Sequence, residues 1–202
     1  MPVKQFSLIH LGWLEGKFDE AAHQGRKAIG LQSLSAIDHA DLAWTLYTAA
    51  KFEEALAIAK TGVELDANSF LSHRIAGLCY IALKRYGEAI DTFKNLIKIS
   101  NRHQHAINSL IRAYCSNGNL EEANKLMNEL KERSTTEYIA GTYAGLSAAY
   151  LYEMDDAFEY LEKAYDDYDP ILIQLKYAPY VPALLRNDPR FQNLLDRIGF
   201  PK

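Results

Sequence analysis

Apolar and polar positions repeat along this chain with a period of 34 residues. An acidic residue followed by alanine recurs on that period, at Glu20-Ala21, Glu54-Ala55, Glu88-Ala89, Glu122-Ala123 and Asp156-Ala157. A bulky apolar residue precedes each alanine by three positions, at Phe18, Phe52, Tyr86, Leu120 and Met154. The surrounding apolar residues have helical rather than alternating spacing. The pattern therefore predicts five units, each made of two helices of about a dozen residues joined by a short turn.

The recurring residues have structural roles in such a helix pair. Alanine allows two helices to cross closely, and an acidic residue in the first turn of the second helix complements the helix dipole. The turn between the helices holds Gly16 in one unit and Gly118 in another. Glycine favours a positive φ at this position. Ala50, Lys84 and Tyr152 take the same place elsewhere, so we expect glycine to be helpful there but not required.

The repeat resembles the tetratricopeptide repeat (TPR) family. Its best match is 70–103, through Ala76-Gly77, Tyr80, Tyr86, Ala89 and Phe93. The repeats are assigned to 2–35, 36–69, 70–103, 104–137 and 138–171. The Trp and Pro of the family pattern are missing. The resemblance implies an all-α, right-handed superhelical solenoid of about five helix hairpins, in a single domain over 1–202.

The tail, 172–202, does not continue the repeat. The period would place Phe191 where alanine is needed and Pro179 inside a helix. Asp188 and Pro189 instead predict a helix start and Gly199 its end, which together indicate a capping helix over 188–199. The string from Leu184 to Pro201 is also similar to the ends of TPR regions in bacterial multidomain regulators, which are fused to cyclase or DNA-binding domains.

Composition narrows the function classes. The formal net charge is −4, without the positive field that sequence-independent nucleic-acid binding needs. No apolar run approaches the roughly 20 residues of a membrane span, so we expect neither nucleic-acid nor membrane binding. Cys79 and Cys115 cannot form a disulfide framework, which favours a reduced, cytoplasmic protein. Phosphate-binding loops, nucleophile elbows and metal signatures are absent, and we expect a non-enzymatic protein without cofactor or metal.

Candidate binding residues follow from the resemblance, because the first helices of TPR arrays line an inner groove. The corresponding positions here include Phe6, His10, Trp13, Trp44, Tyr47, Arg74, Leu78, Asn108, Arg112 and Tyr150. Trp, Tyr and Arg are frequent binding anchors, so the set suits a peptide with bulky apolar residues and one acidic group. The alternative is that aromatics such as Trp13 and Trp44 pack against adjacent helices. The carboxylate clamp of chaperone-binding TPRs is incomplete, since only Arg74, Asn108 and Arg112 suit it.

The leading hypothesis is a non-enzymatic module that binds a protein or peptide in this groove. One alternative is a regulatory region of a larger bacterial signalling enzyme or transcription regulator. Another is a scaffold that self-associates through an apolar N-terminal face formed by Phe6, Leu8, Ile9 and Leu14.

Overall fold

The second helix of each unit begins at the bulky apolar residue that the sequence pattern identifies. The computed structural model describes residues 17–31 and 34–200, and eleven α-helices and one 3₁₀ turn form the regular structure within them. The α-helices are α1 (Phe18–Leu31), α2 (Ala36–Thr48), α3 (Phe52–Leu65), α4 (Phe70–Ala82), α5 (Tyr86–Ile99), α6 (Gln104–Ser116), α7 (Leu120–Arg133), α8 (Gly141–Tyr150), α9 (Met154–Asp166), α10 (Ala183–Arg186) and α11 (Pro189–Ile198). The all-α expectation is confirmed for these residues.

The small residues of the repeat lie in the core. Ala55, Ala89, Ala123 and Ala157 are fully buried, as the pattern predicts. The first helices α2 and α4 begin after Ser35 and Ser69, whose hydroxyl oxygens accept from the backbone N–H groups of Asp38 and Ser72. Side-chain capping satisfies N–H groups that have no partner within the helix, so it fixes where these helices start.

The turns between paired helices adopt the left-handed conformation at the predicted place. The φ angles are 58° at Ala50, 61° at Lys84, 79° at Gly118 and 67° at Tyr152. Gly118 takes this conformation without the clash that Cβ causes in the other three residues. The expectation that glycine is not required is therefore confirmed at these four turns, and its energetic benefit stays a prediction.

The contacts divide the chain into two compact units, one up to Ser100 and the next from Asn101 to Phe200. The core of the first unit includes Leu42, Leu46, Ile75, Phe93 and Leu96, all below 2% exposed. The core of the second includes the equally buried Ile107, Ile111, Leu146 and Leu161. The single-domain organisation stays a prediction.

The fifth repeat departs from the predicted boundaries. Its first helix begins at Gly141 and has 10 residues, whereas α2, α4 and α6 have 13 each. The 34-residue period would start it at Tyr138. A Cβ atom at Gly141 would lie 2.7 Å from the Tyr160 carbonyl oxygen, so the absence of a side chain lets α8 approach the α9 backbone. The Asp169 carboxylate accepts from the Thr142 backbone N–H at 3.1 Å and caps the shortened helix.

The capping helix is confirmed as α11. Asp188 Oδ1 accepts from the Arg190 backbone N–H, and Gly199 ends the helix with a φ of 77°. Phe191 and Leu194 are buried, with exposed fractions of 2% and 0%. The sequence predicts an apolar face that also includes Leu195 and Ile198, and the structure half-buries these two.

Two ion pairs show that α11 and α9 run in the same direction. Arg190 binds Asp155 at 2.9 Å, and Arg197 binds Glu162 at 3.0 and 2.7 Å. Both separations are 35 residues, one more than the repeat. The tail therefore keeps a helix parallel to the preceding second helix. The tail has no full-length first helix before α11. A 3₁₀ turn at Pro170–Gln174 and the short α10 take its place.

Candidate partner-binding site

The structure places the predicted groove residues in quite different surroundings. Phe6, His10 and Trp13 lie outside the described residues, as does the whole of the predicted N-terminal face. Their roles stay predictions. The remaining candidates belong either to α2 and α4 of the first unit or to α6 and α8 of the second.

In the first unit the candidates form a packed stack. The Arg74 guanidinium lies 5.1 Å from the centre of the Trp44 ring, and that ring stacks on Tyr47 at 5.7 Å. Tyr47, Leu78 and Arg74 are buried, with exposed fractions of 0%, 2% and 5%. Trp44 is half-buried. This set joins α2 to α4, and only Trp44 presents an appreciable surface.

In the second unit Asn108 connects two first helices. Its Nδ2 atom donates to the Tyr143 carbonyl oxygen at 3.1 Å and to Ser147 Oγ at 2.9 Å. The residue is 6% exposed. A buried amide whose donors are already used stabilises the α6–α8 contact and has no N–H group left to donate to a ligand.

Arg112 lies beside two tyrosine rings on the same unit. Its guanidinium carbon is 5.9 Å from the Tyr150 ring centre and 6.0 Å from the Tyr180 ring centre, within the range of a cation–π interaction. Arg112 and Tyr150 are both half-buried, whereas Tyr180 is 4% exposed. The structure thus brings two predicted residues together with a third that lies in the tail.

One hydrogen bond joins the tail segment to α8, and others hold the conformation of the segment itself. The Tyr150 hydroxyl donates to the Tyr180 carbonyl oxygen at 2.5 Å, and the Tyr180 hydroxyl donates to Gln174 Oε1 at 3.0 Å. Arg186 donates to the carbonyl oxygens of Lys176 at 3.1 Å and Ala178 at 2.6 Å. Partial burial lowers the pKa of the Arg186 guanidinium below its ordinary value. The segment beside Arg112 is therefore held at several points.

The groups that could carry chemistry have structural partners. Burial raises the pKa of the Cys115 thiol to about 11, which disfavours the thiolate needed of a nucleophile. His39 Nδ1 and His73 Nε2 lie 2.8 and 2.9 Å from backbone carbonyl oxygens. Within 17–31 and 34–200, no three His, Cys, Asp or Glu side chains converge on a point where a metal ion could bind. None of the helices described is both long and apolar enough to cross a membrane.

Solved structures share this arrangement of helices. A TPR protein of Thermus thermophilus aligns with a TM-score of 0.69 and 16% identity, covering 89% of this chain and 98% of that one. A tetratricopeptide repeat protein of Parabacteroides merdae aligns with a TM-score of 0.63 and 16% identity, covering 95% of this chain and 82% of its own. A Podosopora anserina protein with nearly identical TPR-like repeats aligns with a TM-score of 0.62 and 17% identity, covering 86% of this chain and 94% of that one. The chain has the TPR-type helical repeat fold.

Two family models also match parts of the chain. Residues 14–96 match the model of anaphase-promoting complex, cyclosome, subunit 3, and 106–134 match the PPR repeat model. Together with the structural neighbours they support a TPR/PPR-type repeat. Comparison with curated proteins finds no match. The similarity of the tail to bacterial multidomain regulators stays a prediction.

Within this TPR-type fold, the residue that sequence reasoning missed is Tyr180. The repeat pattern ends at Ile171, so it assigns no groove position to the tail. Tyr180 lies between Pro179 and Pro182, in a stretch without helical periodicity. Its approach to Arg112 depends on how the tail folds back onto α8, which local sequence does not indicate.

Proposed function

We propose that this chain is a non-catalytic interaction module that binds a peptide segment of a partner protein through Arg112 and Tyr150, with the buried Tyr180 ring positioning Arg112. The peptide carries a carboxylate next to a bulky apolar side chain. The TPR-type fold supports this class of function, since such repeats typically serve as protein-interaction modules. The observation that carries the proposal is the position of the Arg112 guanidinium beside two tyrosine rings on one side of the second unit.

The geometry suits a carboxylate. A guanidinium that interacts with ring faces keeps its planar N–H donors in a fixed orientation, and those donors match both oxygens of a carboxylate. A cation–π contact contributes about 0.5–1 kcal/mol at an exposed site, enough to bias the rotamer of Arg112. The arginine therefore loses less conformational freedom when the peptide binds.

Tyr150 provides the apolar surface of the site, and the buried Tyr180 supports it. Tyr150 and Tyr180 are connected by the 2.5 Å hydrogen bond from the Tyr150 hydroxyl to the Tyr180 backbone. Rigid aromatic side chains provide contact area at low entropic cost, and they are common anchors at protein interfaces. A leucine or aromatic side chain beside the carboxylate would contact the half-buried Tyr150 ring while the acid pairs with Arg112.

Panning a random peptide library against the purified protein tests the proposal. We expect the parent protein to enrich peptides that combine Asp or Glu with a bulky apolar residue. Arg112→Gln should lose the acidic preference and keep part of the apolar one. Arg85→Gln is the matched control, because Arg85 also lies over a tyrosine ring, 4.7 Å from the centre of Tyr80. Enrichment that is identical for the parent and Arg112→Gln would contradict the proposal.

The other two hypotheses stay predictions. Regulation of an attached enzyme or transcription factor rests on the sequence similarity of the tail, and self-association rests on the N-terminal residues. Neither gains support from a contact among the described residues.

A further inference from the structure

A cavity of about 280 Å³ lies within the second unit and shares no residue with the Arg112 site. Its walls come from α7, α8, α9 and the connection 134–140. Met127 and Leu130 are each 2% exposed and Ala144 is 6% exposed, so the inner part is apolar. Tyr138, 63% exposed, lines the outer part.

The shortened α8 accounts for the cavity. The connection between α7 and α8 spans 134–140, whereas the connection between α3 and α4 needs only 66–69. Gly141 and Gly145 bring α8 onto α9: added Cβ atoms would lie 2.7 Å from the Tyr160 carbonyl oxygen and 2.8 Å from Leu161 Cγ. A helix that packs this closely on α9 leaves space on the side of α7.

Hydrogen bonds keep the connection from filling that space. The Ala140 backbone N–H donates to Gln104 Oε1 at 2.7 Å, and Gln104 Nε2 donates to the Tyr138 carbonyl oxygen at 3.5 Å. The Asp169 carboxylate holds the start of α8 through the Thr142 backbone N–H. Side chains outside the cavity thus fix both the connection and α8, and the space is a built feature of the unit.

The charges around the opening are paired. Lys163 Nζ lies 2.7 Å from Asp167 Oδ2, and Lys131 Nζ lies 3.6 Å from Asp156 Oδ2. Arg133 bonds to the carboxylate of Glu137. A charged ligand would lose hydration on entering and would meet groups that already have counter-charges, so the cavity disfavours it. Five of the twelve lining residues are charged or polar, and the apolar and aromatic remainder favours a neutral aromatic molecule instead.

We propose that this cavity is a binding site for a small neutral aromatic ligand of one or two rings. An apolar cavity of about 150 Å³ admits benzene, so the larger volume here accommodates an indole-sized molecule. Met127 provides an adaptable thioether wall, which suits a planar ring. The site is independent of the peptide-binding proposal, and either can fail without the other.

Methionine methyl NMR tests this site with indole as the probe. The chain has three methionines, of which Met127 lines the cavity and Met154, at the start of α9, does not. We expect indole to shift the Met127 methyl signal saturably and to leave Met154 unchanged. Indole-3-acetate and tryptamine carry a negative and a positive charge on the same ring and should bind at least about tenfold more weakly. Equal shifts at both methionines, no saturable shift, or equally tight binding of the charged analogues would overturn the proposal.

Two variants connect the signal to the cavity. Tyr138→Ala removes a ring from its outer wall and should weaken indole binding by about three- to tenfold. Tyr168→Ala is the control, since it removes an equally large ring that is 90% exposed and does not line the cavity. Ala144→Leu should fill the interior and abolish the Met127 shift. If Ala144→Leu fails to fold, Tyr138→Ala and Tyr168→Ala still test the site. Equal affinities of these two variants for indole would contradict the assignment of indole to the cavity.

Discussion

Gly77 of α4 faces the ring of Phe93 of α5 so closely that a Cβ atom at Gly77 would lie 2.4 Å from Cε1 and Cζ of that ring. Phe93 is fully buried. The paired helices α4 and α5 therefore approach each other at a position where only a hydrogen atom fits.

Gly77→Ala should lower the free energy of unfolding by about 1–3 kcal/mol, because the Phe93 ring must leave its place in a filled core. Urea denaturation followed by circular dichroism measures the change. Gly87→Ala is the matched control: Gly87 also lies in a helix, and a Cβ there would meet nothing within 4 Å. That control should be neutral or stabilising by up to about 1 kcal/mol. Equal effects of the two substitutions would contradict the close crossing.

The left-handed turns give a second prediction. Lys84 has a φ of 61°, so Lys84→Gly removes a Cβ clash and should raise the free energy of unfolding by up to about 1 kcal/mol. Gly118→Ala, at a φ of 79°, should instead lower it by about 1–2 kcal/mol. Lys94→Gly, at an exposed place inside α5, is the control and should cost about 1 kcal/mol. If Lys84→Gly destabilises as much as Lys94→Gly, the turn stores no strain.

The sequence alone predicts the repeated helices well, because their signal recurs five times. Residues such as Ala55, Ala89 and Ala123 are selected by the same local geometry in each repeat, so the period reveals it. The start of α8 could not be predicted in this way. It depends on Gly141, which approaches the α9 backbone, and on Asp169, which follows α9 and accepts from the Thr142 N–H. The other repeats have different residues at these two positions.

The cap gives a third prediction. Leu194 of α11 is fully buried, so Leu194→Ala should lower the free energy of unfolding of the second unit by about 2–5 kcal/mol. Leu184 of α10 is 46% exposed, and Leu184→Ala should change it by less than about 0.5 kcal/mol. Thermal denaturation compares the melting temperatures of the two variants with that of the parent. An unchanged melting temperature for Leu194→Ala would argue against a packed cap.

The N-terminus of α11 should make stability depend on pH. The Arg190 side chain, and then its backbone N–H, hold the pKa of the Asp188 carboxyl below the value of about 3.9 expected in an unfolded chain. A group with a lowered pKa in the folded state stabilises the protein above its unfolded pKa, and this contribution is lost as the pH falls through the folded value.

Asp188→Asn isolates this effect, since asparagine still caps the helix but does not titrate. The stability difference between parent and variant should stay constant above about pH 5 and shrink as the pH decreases through about 4 and below. Denaturation at a series of pH values measures it. A difference that is independent of pH would show that the charge of Asp188 does not contribute.

The proposed binding site is predictable from the sequence only in part. The fixed groove positions of the family on the first helices select Arg112 and Tyr150, which stay predictions. The same rule selected Tyr47 and Leu78, which the structure buries, because it assigns a helix face without knowing which neighbours cover it. The same rule selected Asn108, whose amide donates to the Tyr143 backbone instead of facing a groove. Tyr180 depends on tail folding and lies beyond any repeat signal.

A double-mutant cycle between Arg112 and the carboxylate of a bound peptide tests the proposed pairing most directly. Calorimetric titration would use an enriched peptide and its Asp→Asn analogue, each against the parent protein and Arg112→Gln. We expect each single change to weaken binding and the two changes to couple by about 1–3 kcal/mol. The same cycle with Arg85→Gln should show no coupling. Additive effects of Arg112→Gln and the peptide change, within about 0.5 kcal/mol, would contradict a direct contact between Arg112 and the carboxylate.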